Sequence, residues 1–330
     1  MNSNARSSND PMNSRLRFSL LATLASAALA LASCGGEAPE LQTADTAALV
    51  AAPAAQLLAA DGAAEPAPAR RAFTPVVAPG EGIELMEGTI SEKSEKLKYK
   101  IDLTFPQLKG RLTPNAVKFN REMRALVARE AREFKRAYGG ATDRPWAKEK
   151  FWEGVDDSLE GRYEFIHLDD SFAGVRLELF AYGRGAAHSV QFHRVLNFDL
   201  KSGRTLELAD LFVPGARYLQ ALAAHSVAEL RRQDEEAHRR EVARVTSEGR
   251  PASGAGVRTP DSDFVSGAGP EADNYRAWNL AAEGVVVAFA ACQVGGCADG
   301  EKEVLIPFSA LEAVLDRSGP AARLFAPQAH

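Results

Sequence analysis

Residues 190–200 alternate between two kinds of side chain, which predicts a long β-strand with two different faces. One face carries Val190, Phe192, Leu196, Phe198 and Leu200, and the other carries Gln191, His193, Val195, Asn197 and Asp199. The next residues, 201–204, form a predicted hairpin turn in which Gly203 accepts a positive φ at low cost. The polar row of His193, Asn197 and Asp199 either lines a groove or faces water, and the pattern favours water.

Other short runs of alternating or apolar residues predict the remaining strands of a mostly antiparallel sheet. They cover residues 83–90, 96–105, 163–168, 173–182, 205–208, 278–280, 285–290 and 304–308. Pro106 is expected to end the second of these strands, because proline has no N–H to donate to a ladder.

Two longer segments with helical spacing predict the main helices. Thr113 and Pro114 are suited to the N-cap and first helical position of the first helix, which stops at two glycines. The second helix begins at Asp210 or Pro214 and continues to about residue 245. The fold class predicted is therefore α+β, with an antiparallel sheet packed by two main helices in two adjoining subdomains.

The N-terminus has the pattern of a bacterial export signal. Arg15 and Arg17 precede a short apolar run, and the residues 31–34 (LASC) resemble a lipobox that places a lipid on Cys34. The alternative is a plain secreted protein in which Cys34 is incidental. Gly35 favours the outer over the inner membrane, so we expect an exported lipoprotein that reaches the membrane through the lipid on Cys34 and faces the periplasm.

Changes in composition divide the chain into four predicted regions. Residues 1–33 are the signal peptide, and residues 34–80 are an Ala- and Pro-rich flexible tether. Residues 81–161 form a small strand-plus-helix subdomain, and residues 162–325 form the main α+β domain. Within the main domain, residues 249–274 are a long Gly-, Pro- and Ser-rich loop for which disorder is favoured over function.

Charge and motifs exclude several functional classes. The net charge of −5 argues against nucleic acid as a partner, since phosphate binding needs clustered Lys and Arg. No zincin, Walker or nucleophile-elbow motif occurs. His188 and His193 are five residues apart and would point to opposite faces of one strand, so they do not predict a metal site. We therefore predict no catalytic residue, cofactor or metal.

Cys292 and Cys297 flank four residues that include two glycines. In an oxidising compartment two nearby cysteines are expected to form a disulfide, which would stabilise so small a loop by about 2 kcal/mol. The alternative is a redox-active or metal-binding pair, which the spacing favours less.

Several short motifs, in a fixed order, resemble the family called domain of unknown function 3298. They are residues 180–189 (FAYGRGAAHS), 197–200 (NFDL), 202–204 (SGR), 208–212 (LADLF), 278–280 (WNL), 283–285 (EGV), Phe289 and 300–308. Residues 99–138 resemble the smaller domain that often precedes it, and the likeness spans about residues 95–316. Cys292 and Cys297 depart from the family pattern, which usually has aromatic or other residues there.

The resemblance implies a non-enzymatic recognition domain that faces the cell envelope. Its relatives include the extracellular part of lysozyme-sensing anti-sigma factors and the non-catalytic module of some peptidoglycan deacetylases. The partner implied is a lysozyme-like protein or peptidoglycan. The signalling and hydrolytic roles are not expected to transfer, because neither an anti-sigma segment nor a deacetylase domain is found in the sequence.

Three hypotheses follow for function. The first is an envelope-anchored lipoprotein with a non-catalytic recognition domain, whose contact surface includes His188, His193, Asn197 and Asp199. The second is a periplasmic hydrolase acting on peptidoglycan or another polymer through paired carboxylates, for which the candidates are Asp169, Asp170, Asp199 and Glu178. The third is a purely structural lipoprotein.

Overall fold

A computed structural model describes residues 73–138, 154–254, 256 and 258–325. The strands are β1 (Val76–Val77), β2 (Ile83–Ser94), β3 (Tyr99–Gly110), β4 (Asp157–Leu168), β5 (Phe172–Tyr182), β6 (Val190–Asp199), β7 (Arg204–Thr205), β8 (Trp278–Leu280), β9 (Gly284–Phe289) and β10 (Lys302–Pro307). The helices are α1 (Pro114–Tyr138), α2 (Tyr218–Ser247), α3 (Asp261–Gly267) and α4 (Phe308–Leu311).

The large sheet has the strand order β2-β3-β4-β5-β6-β7, with β1 pairing off this order with β4. Its pairs are antiparallel except for β3 with β4 and β1 with β4, which are parallel. The pair of β3 and β4 runs from Tyr99 opposite Asp157 to Leu103 opposite Gly161. A parallel neighbour needs a crossover connection, and α1 lies in the chain segment that joins β3 to β4. Farther along β4, β1 pairs with it at residues 167 and 168.

Helix α1 packs on one face of the large sheet. Thr113 caps it by accepting a hydrogen bond from the N–H of Ala116 at 3.2 Å, and Pro114 takes the first helical position. Its apolar stripe, which includes Phe119 and Met123, joins one core with the inward residues of β3, β4, β5 and β6. This core explains the predicted alternation, since odd-numbered residues of β5 from 173 to 181 are buried against α1.

The opposite face of the large sheet is covered by a second, three-stranded sheet of order β10-β9-β8. The second sheet shares a core with α2, α3 and α4, and Phe172 of the large sheet reaches into it. Strand β9 is buried on both faces, as its unbroken run of apolar residues predicts. The predicted α+β fold class is confirmed.

Pro106 does not end its strand, and that prediction is wrong. β3 begins at Tyr99 instead of Lys96 and continues through Pro106, which lies opposite Glu87 of β2, to Gly110. The ladder between β3 and β4 ends at Leu103. Beyond that point β3 has one strand neighbour only in the described part of the chain, and such an edge tolerates a residue without an N–H.

The segment 249–274 is more regular than the sequence predicts. It contains α3, whose Phe264 is buried in the second core, and a short 3₁₀ turn at Ala272–Tyr275. The preference for disorder is therefore wrong for the described residues of this segment. The aromatic rings of Phe264 and Tyr275 are buried, and their apolar contacts hold this Gly-rich segment in place although its sequence has little periodicity.

Several predicted boundaries fall at or beyond the edges of the described part. The signal peptide and Cys34 lie outside it. The predicted tether, 34–80, reaches into it, where Phe73 is buried and β1 pairs with β4. Strand β4 runs across the division predicted between residues 161 and 162. Among the described residues, no helix has the length and apolar character needed to cross a membrane.

Candidate functional site

A row of charged and polar side chains crosses the face of the large sheet that meets the small sheet. The side-chain period of two places these residues on one face, and the strand register sets them side by side: Arg162 lies opposite Glu178, and Glu164 opposite Arg176. His193 of β6 lies opposite Glu178. We call the following set the ionic cluster: Arg162, Glu164, Arg176, Glu178, Gln191, His193, Glu301 and Glu303.

Arg176 lies at the centre of the ionic cluster, with a side chain only 6% exposed. Its Nε donates to Glu164 Oε1 at 2.7 Å, and its Nη2 donates to Glu303 Oε2 at 2.5 Å. Burial alone would lower the pKa of Arg176, but the carboxylates of Glu164 and Glu303 outweigh it and raise the pKa above its ordinary value. The guanidinium therefore stays charged and joins β5 to β10.

The second half of the ionic cluster joins two carboxylates through an amide and an imidazole. Gln191 donates to Glu178 Oε1 at 2.5 Å and to Glu301 Oε2 at 3.2 Å. His193 Nε2 lies 3.1 Å from the same Glu301 oxygen, and Arg162 donates to Glu178. The side chain of His193 is 1% exposed, whereas that of Glu301 is 25% exposed. Solvent can thus reach the carboxylates but not the imidazole.

The pKa of Glu301 lies below its ordinary value. Burial alone would raise this pKa, but the hydrogen bond with His193 and the positive charges of Arg176 and Arg162 outweigh burial. Glu301 is therefore ionised at neutral pH. The four carboxylates of the ionic cluster each lie within 4.0 Å of one of its two guanidinium groups.

Nη1 of Arg176 and Nδ1 of His193 are buried and have no hydrogen-bond partner among the described residues, and this Nη1 lies 4.0 Å from Glu301 Oε1. Glu178, His193 and Glu301 each place a donor atom within 4.8 Å of the other two, which is a grouping that could hold a metal ion. The sequence predicts no metal here, because Glu301 is 108 residues from His193 along the chain and no motif connects them.

Asn197 and Asp199 lie on the predicted face of β6, but the expectation that this face meets water is wrong, since both are at most 2% exposed. Asn197 donates to the carbonyl oxygen of Trp278 at 2.9 Å and accepts from Asn279 at 3.0 Å. Asp199 accepts from the N–H groups of Lys201 and Ser202 and shapes the turn after β6. Asn197 thus joins the two sheets.

The other predicted contact residues behave differently from one another. His193 is buried in the ionic cluster, whereas His188 is exposed, and its Nδ1 lies 3.0 Å from the carbonyl oxygen of Ser189. His188 lies before the start of β6 at Val190, whereas His193 lies within β6. Of the four residues predicted as a contact surface, only His188 is exposed to solvent.

The carboxylates that the hydrolase hypothesis requires do not converge. Asp169, Asp170 and Asp199 lie in two adjacent turns, where Asp169 accepts from the N–H groups of Ser171 and Phe172 at 2.7 Å each. Glu178 is six residues along β5 from Phe172, which corresponds to about 20 Å of extended chain. Glu178 instead meets Glu301, a residue that the sequence argument missed.

Glu301 and Glu303 alternate at the start of β10, and Arg176 and Glu178 alternate on β5. Charged residues with a strand's period of two inside apolar runs are the signal that could have marked these residues. The side-chain contact between Arg176 of β5 and Glu303 of β10 could not be predicted, because more than a hundred residues separate the two along the chain.

The predicted disulfide between Cys292 and Cys297 is confirmed, with a Cα–Cα distance of 4.1 Å. The disulfide closes the turn that follows β9. A 3₁₀ turn at Cys297–Asp299 then leads through Gly300 to Glu301. Gly300, between that turn and Glu301, has a φ of 72°, which glycine adopts without strain. The disulfide therefore lies at the base of the segment that presents Glu301 to the ionic cluster.

These features define an α+β protein in which a large sheet lies between a helix and a small sheet, with an ionic cluster between the sheets. Residues 209–309 match the model of a protein family of unknown function, DUF3298. The chain therefore contains a DUF3298 domain, as the sequence motifs predict. The matched region includes α2, the small sheet and Glu301, whereas Arg176 and His193 lie before it.

Two solved structures of DUF3298 family members are similar to the chain. A protein from Bacteroides fragilis has 16% identity and a TM-score of 0.49, and the alignment covers 74% of this chain and 98% of that one. A protein from Pseudomonas aeruginosa has 16% identity and a TM-score of 0.39, with coverage of 71% and 94%. No curated protein matches the chain.

Proposed function

We propose that the protein is an envelope-anchored lipoprotein whose folded part is a non-catalytic recognition domain for a protein partner. The anchor is the lipid predicted on Cys34, and the segment after it serves as the tether. The support for anchoring is the basic n-region, the apolar run and the lipobox-like LASC ending.

The observation that carries the recognition function is the outer edge of β2. This strand has twelve residues, and no other strand pairs with its outer side in the described part of the chain. Unpaired N–H and C=O groups along such an edge can accept an extended segment of another protein as an added strand. Leu85 and Met86, which are 42% and 44% exposed, supply apolar contacts along the edge.

The ionic cluster favours a non-catalytic role for the fold. A general acid must carry its proton near neutral pH, yet the pKa of Glu301 is lowered and Glu178 accepts from Arg162. Asp169 and Asp199 accept hydrogen bonds from the backbone of their own turns, which is a structural role. This arrangement supports recognition over hydrolysis of a polymer.

The edge of β2 favours a protein over a cell-wall glycan as the partner. An edge strand is specific to polypeptide, because main-chain hydrogen bonds need a second main chain.

The proposal is tested by the retention of the purified full chain on immobilised lysozyme and on peptidoglycan sacculi. The double variant Leu85→Lys and Met86→Lys places charge on the edge, which opposes strand addition. We expect wild-type protein to bind lysozyme and the double variant to bind at least about tenfold more weakly. Retention on neither material, or equal retention of wild type and double variant, would contradict the proposal.

The matched control is Val117→Lys, which adds a charge at an exposed apolar residue of α1 instead of β2. It should bind lysozyme as the wild type does. Retention on sacculi alone, with no effect of the β2 substitutions, would point to the glycan alternative and reject strand addition.

A further inference from the structure

We propose that Glu178, Gln191, His193 and Glu301 bind one Zn²⁺ ion at the solvent-facing side of the ionic cluster. The inference goes beyond recognition through β2, and it does not depend on it. The three titratable residues place one donor atom each within 4.8 Å of one another, from β5, β6 and the segment before β10.

The shortest separations in the group fit the ligand shell of a small ion. His193 Nε2 lies 3.1 Å from Glu301 Oε2. Two ligand atoms on a tetrahedral Zn²⁺, with bonds of about 2.0–2.1 Å, are about 3.3 Å apart. An ion can therefore lie between these two side chains with only a small movement of either.

Gln191 supplies a fourth ligand. Its amide nitrogen lies 2.5 Å from Glu178 Oε1 and 3.2 Å from Glu301 Oε2, so the end of its side chain lies between the two carboxylates. Oxygen and nitrogen of an amide exchange places by a half-turn of the terminal torsion, and the choice follows the hydrogen-bond network. A cation in the group turns the oxygen towards the carboxylates, where it completes four ligands.

The two arginines of the ionic cluster leave ligand atoms for the ion. Arg162 donates to Glu178 Oε2, and Arg176 Nη1 is 4.0 Å from Glu301 Oε1. Each carboxylate keeps its other oxygen for the ion.

A buried atom without a hydrogen-bond partner provides independent support. The side chain of Arg176 is 6% exposed, and its Nη1 lies 4.0 Å from Glu301 Oε1 without a hydrogen-bond partner among the described residues. A buried donor without an acceptor is unfavourable, and a water held by the ion would provide that acceptor.

The ligand types select the ion. An imidazole nitrogen with carboxylate and amide oxygens suits Zn²⁺, whereas Mg²⁺ and Ca²⁺ prefer oxygen alone. Glu178 and Glu301 are 18% and 25% exposed, so an ion can enter from solvent while His193 lies behind them.

The test is a titration of the full chain, freed of metal by a chelator and dialysis, with ZnCl₂ in competition with a chromophoric chelator. We expect one Zn²⁺ per chain, with Mg²⁺ and Ca²⁺ unable to displace it at a hundredfold excess. His193→Gln and Glu301→Gln should each weaken binding at least tenfold. Circular dichroism of each variant shows whether it is folded, and Glu301→Gln serves if His193→Gln is not, because Glu301 is partly exposed.

Two matched control variants test whether Zn²⁺ binding depends on the proposed ligands and not on other histidines or carboxylates nearby. His188→Gln removes an exposed histidine of the same strand region, and Glu303→Gln removes a carboxylate two residues from Glu301 that bonds Arg176. Both should change Zn²⁺ affinity by less than about threefold. Absence of binding, equal binding of Ca²⁺, or loss of binding in His188→Gln with none in Glu301→Gln would overturn the proposal.

Discussion

At the scale of single residues, Arg176 is a buried charge at the place where the two sheets meet. It bonds Glu164 on a neighbouring strand and Glu303 on the other sheet. Removal of one partner from such a network leaves the other charge buried without compensation. The ionic cluster therefore fixes how the small sheet sits on the large one.

The same scale shows what strand parity can and cannot predict. The period of two correctly places His193, Asn197 and Asp199 on one face of β6. It does not say what covers that face, because β8 is some eighty residues away along the chain and binds Asn197 through the Trp278 carbonyl. Parity is local information, whereas burial here depends on a distant segment.

Asp169 gives a prediction at this scale. Burial alone would raise its pKa, but hydrogen bonds with His167, Ser171 and Phe172 outweigh it and hold the pKa far below its ordinary value. A carboxylate with a lowered folded pKa stabilises the fold above its unfolded pKa, and this stability is lost as pH falls. Asp169→Asn should therefore lower the free energy of unfolding by about 2 kcal/mol at pH 7, measured by urea denaturation.

The difference between Asp169→Asn and wild type should stay constant above about pH 5 and shrink as the pH falls below about 4, near the ordinary pKa of Asp. The control is Asp170→Asn, whose carboxylate is largely exposed and pairs with Lys201 at 2.8 Å. It should cost less than about 0.5 kcal/mol. An equal loss in both variants would contradict the role given to the Asp169 turn.

At the scale of elements, the strands with clear alternation were predictable, and their ends were less so. The runs at 83–90, 173–182 and 190–200 correspond to β2, β5 and β6. β2 continues to Ser94, and β4 begins at Asp157 instead of Tyr163. Strand ends depend on what the neighbouring strand offers, which is also why Pro106 lies within β3.

The helices follow the same rule. α1 has its cap and first helical proline in the sequence, and its predicted start is confirmed. α2 begins at Tyr218, later than predicted, because residues 208–211 form a separate 3₁₀ turn. α3 could not be predicted from periodicity, since it is only seven residues long and is held by the burial of Phe264.

The parallel pairing of β3 with β4 is another feature that the sequence did not reveal. Strand patterns alone do not give direction, and α1 between the two strands is the only local hint of a crossover. This pairing leaves β2 at the edge of the sheet. The candidate recognition edge is thus a consequence of topology, which explains why no motif marks it.

At the scale of the whole molecule, the proposed recognition edge and the ionic cluster lie on different parts of the large sheet. The ionic cluster belongs to β4, β5, β6 and the β10 region, while the edge belongs to β2. Substitutions in one should leave the other intact. The two proposals can therefore fail independently.

The anchor is tested by metabolic labelling of producing bacteria with a palmitate analogue. We expect label on the wild-type chain and none on Cys34→Ser, since acylation requires the thiol. The double variant Cys292→Ser and Cys297→Ser is the control, and it should keep the label because those cysteines form a disulfide. An unlabelled wild type, or label that depends on Cys292 and Cys297, would contradict the anchor.

The central claim is that a protein partner adds a strand to β2, and amide hydrogen exchange of the full chain with and without lysozyme measures this directly. Added main-chain hydrogen bonds should slow the exchange of amides in Ile83–Ser94, while amides of α1 keep their rates. A complex that forms without any slowing in Ile83–Ser94 would contradict the claim.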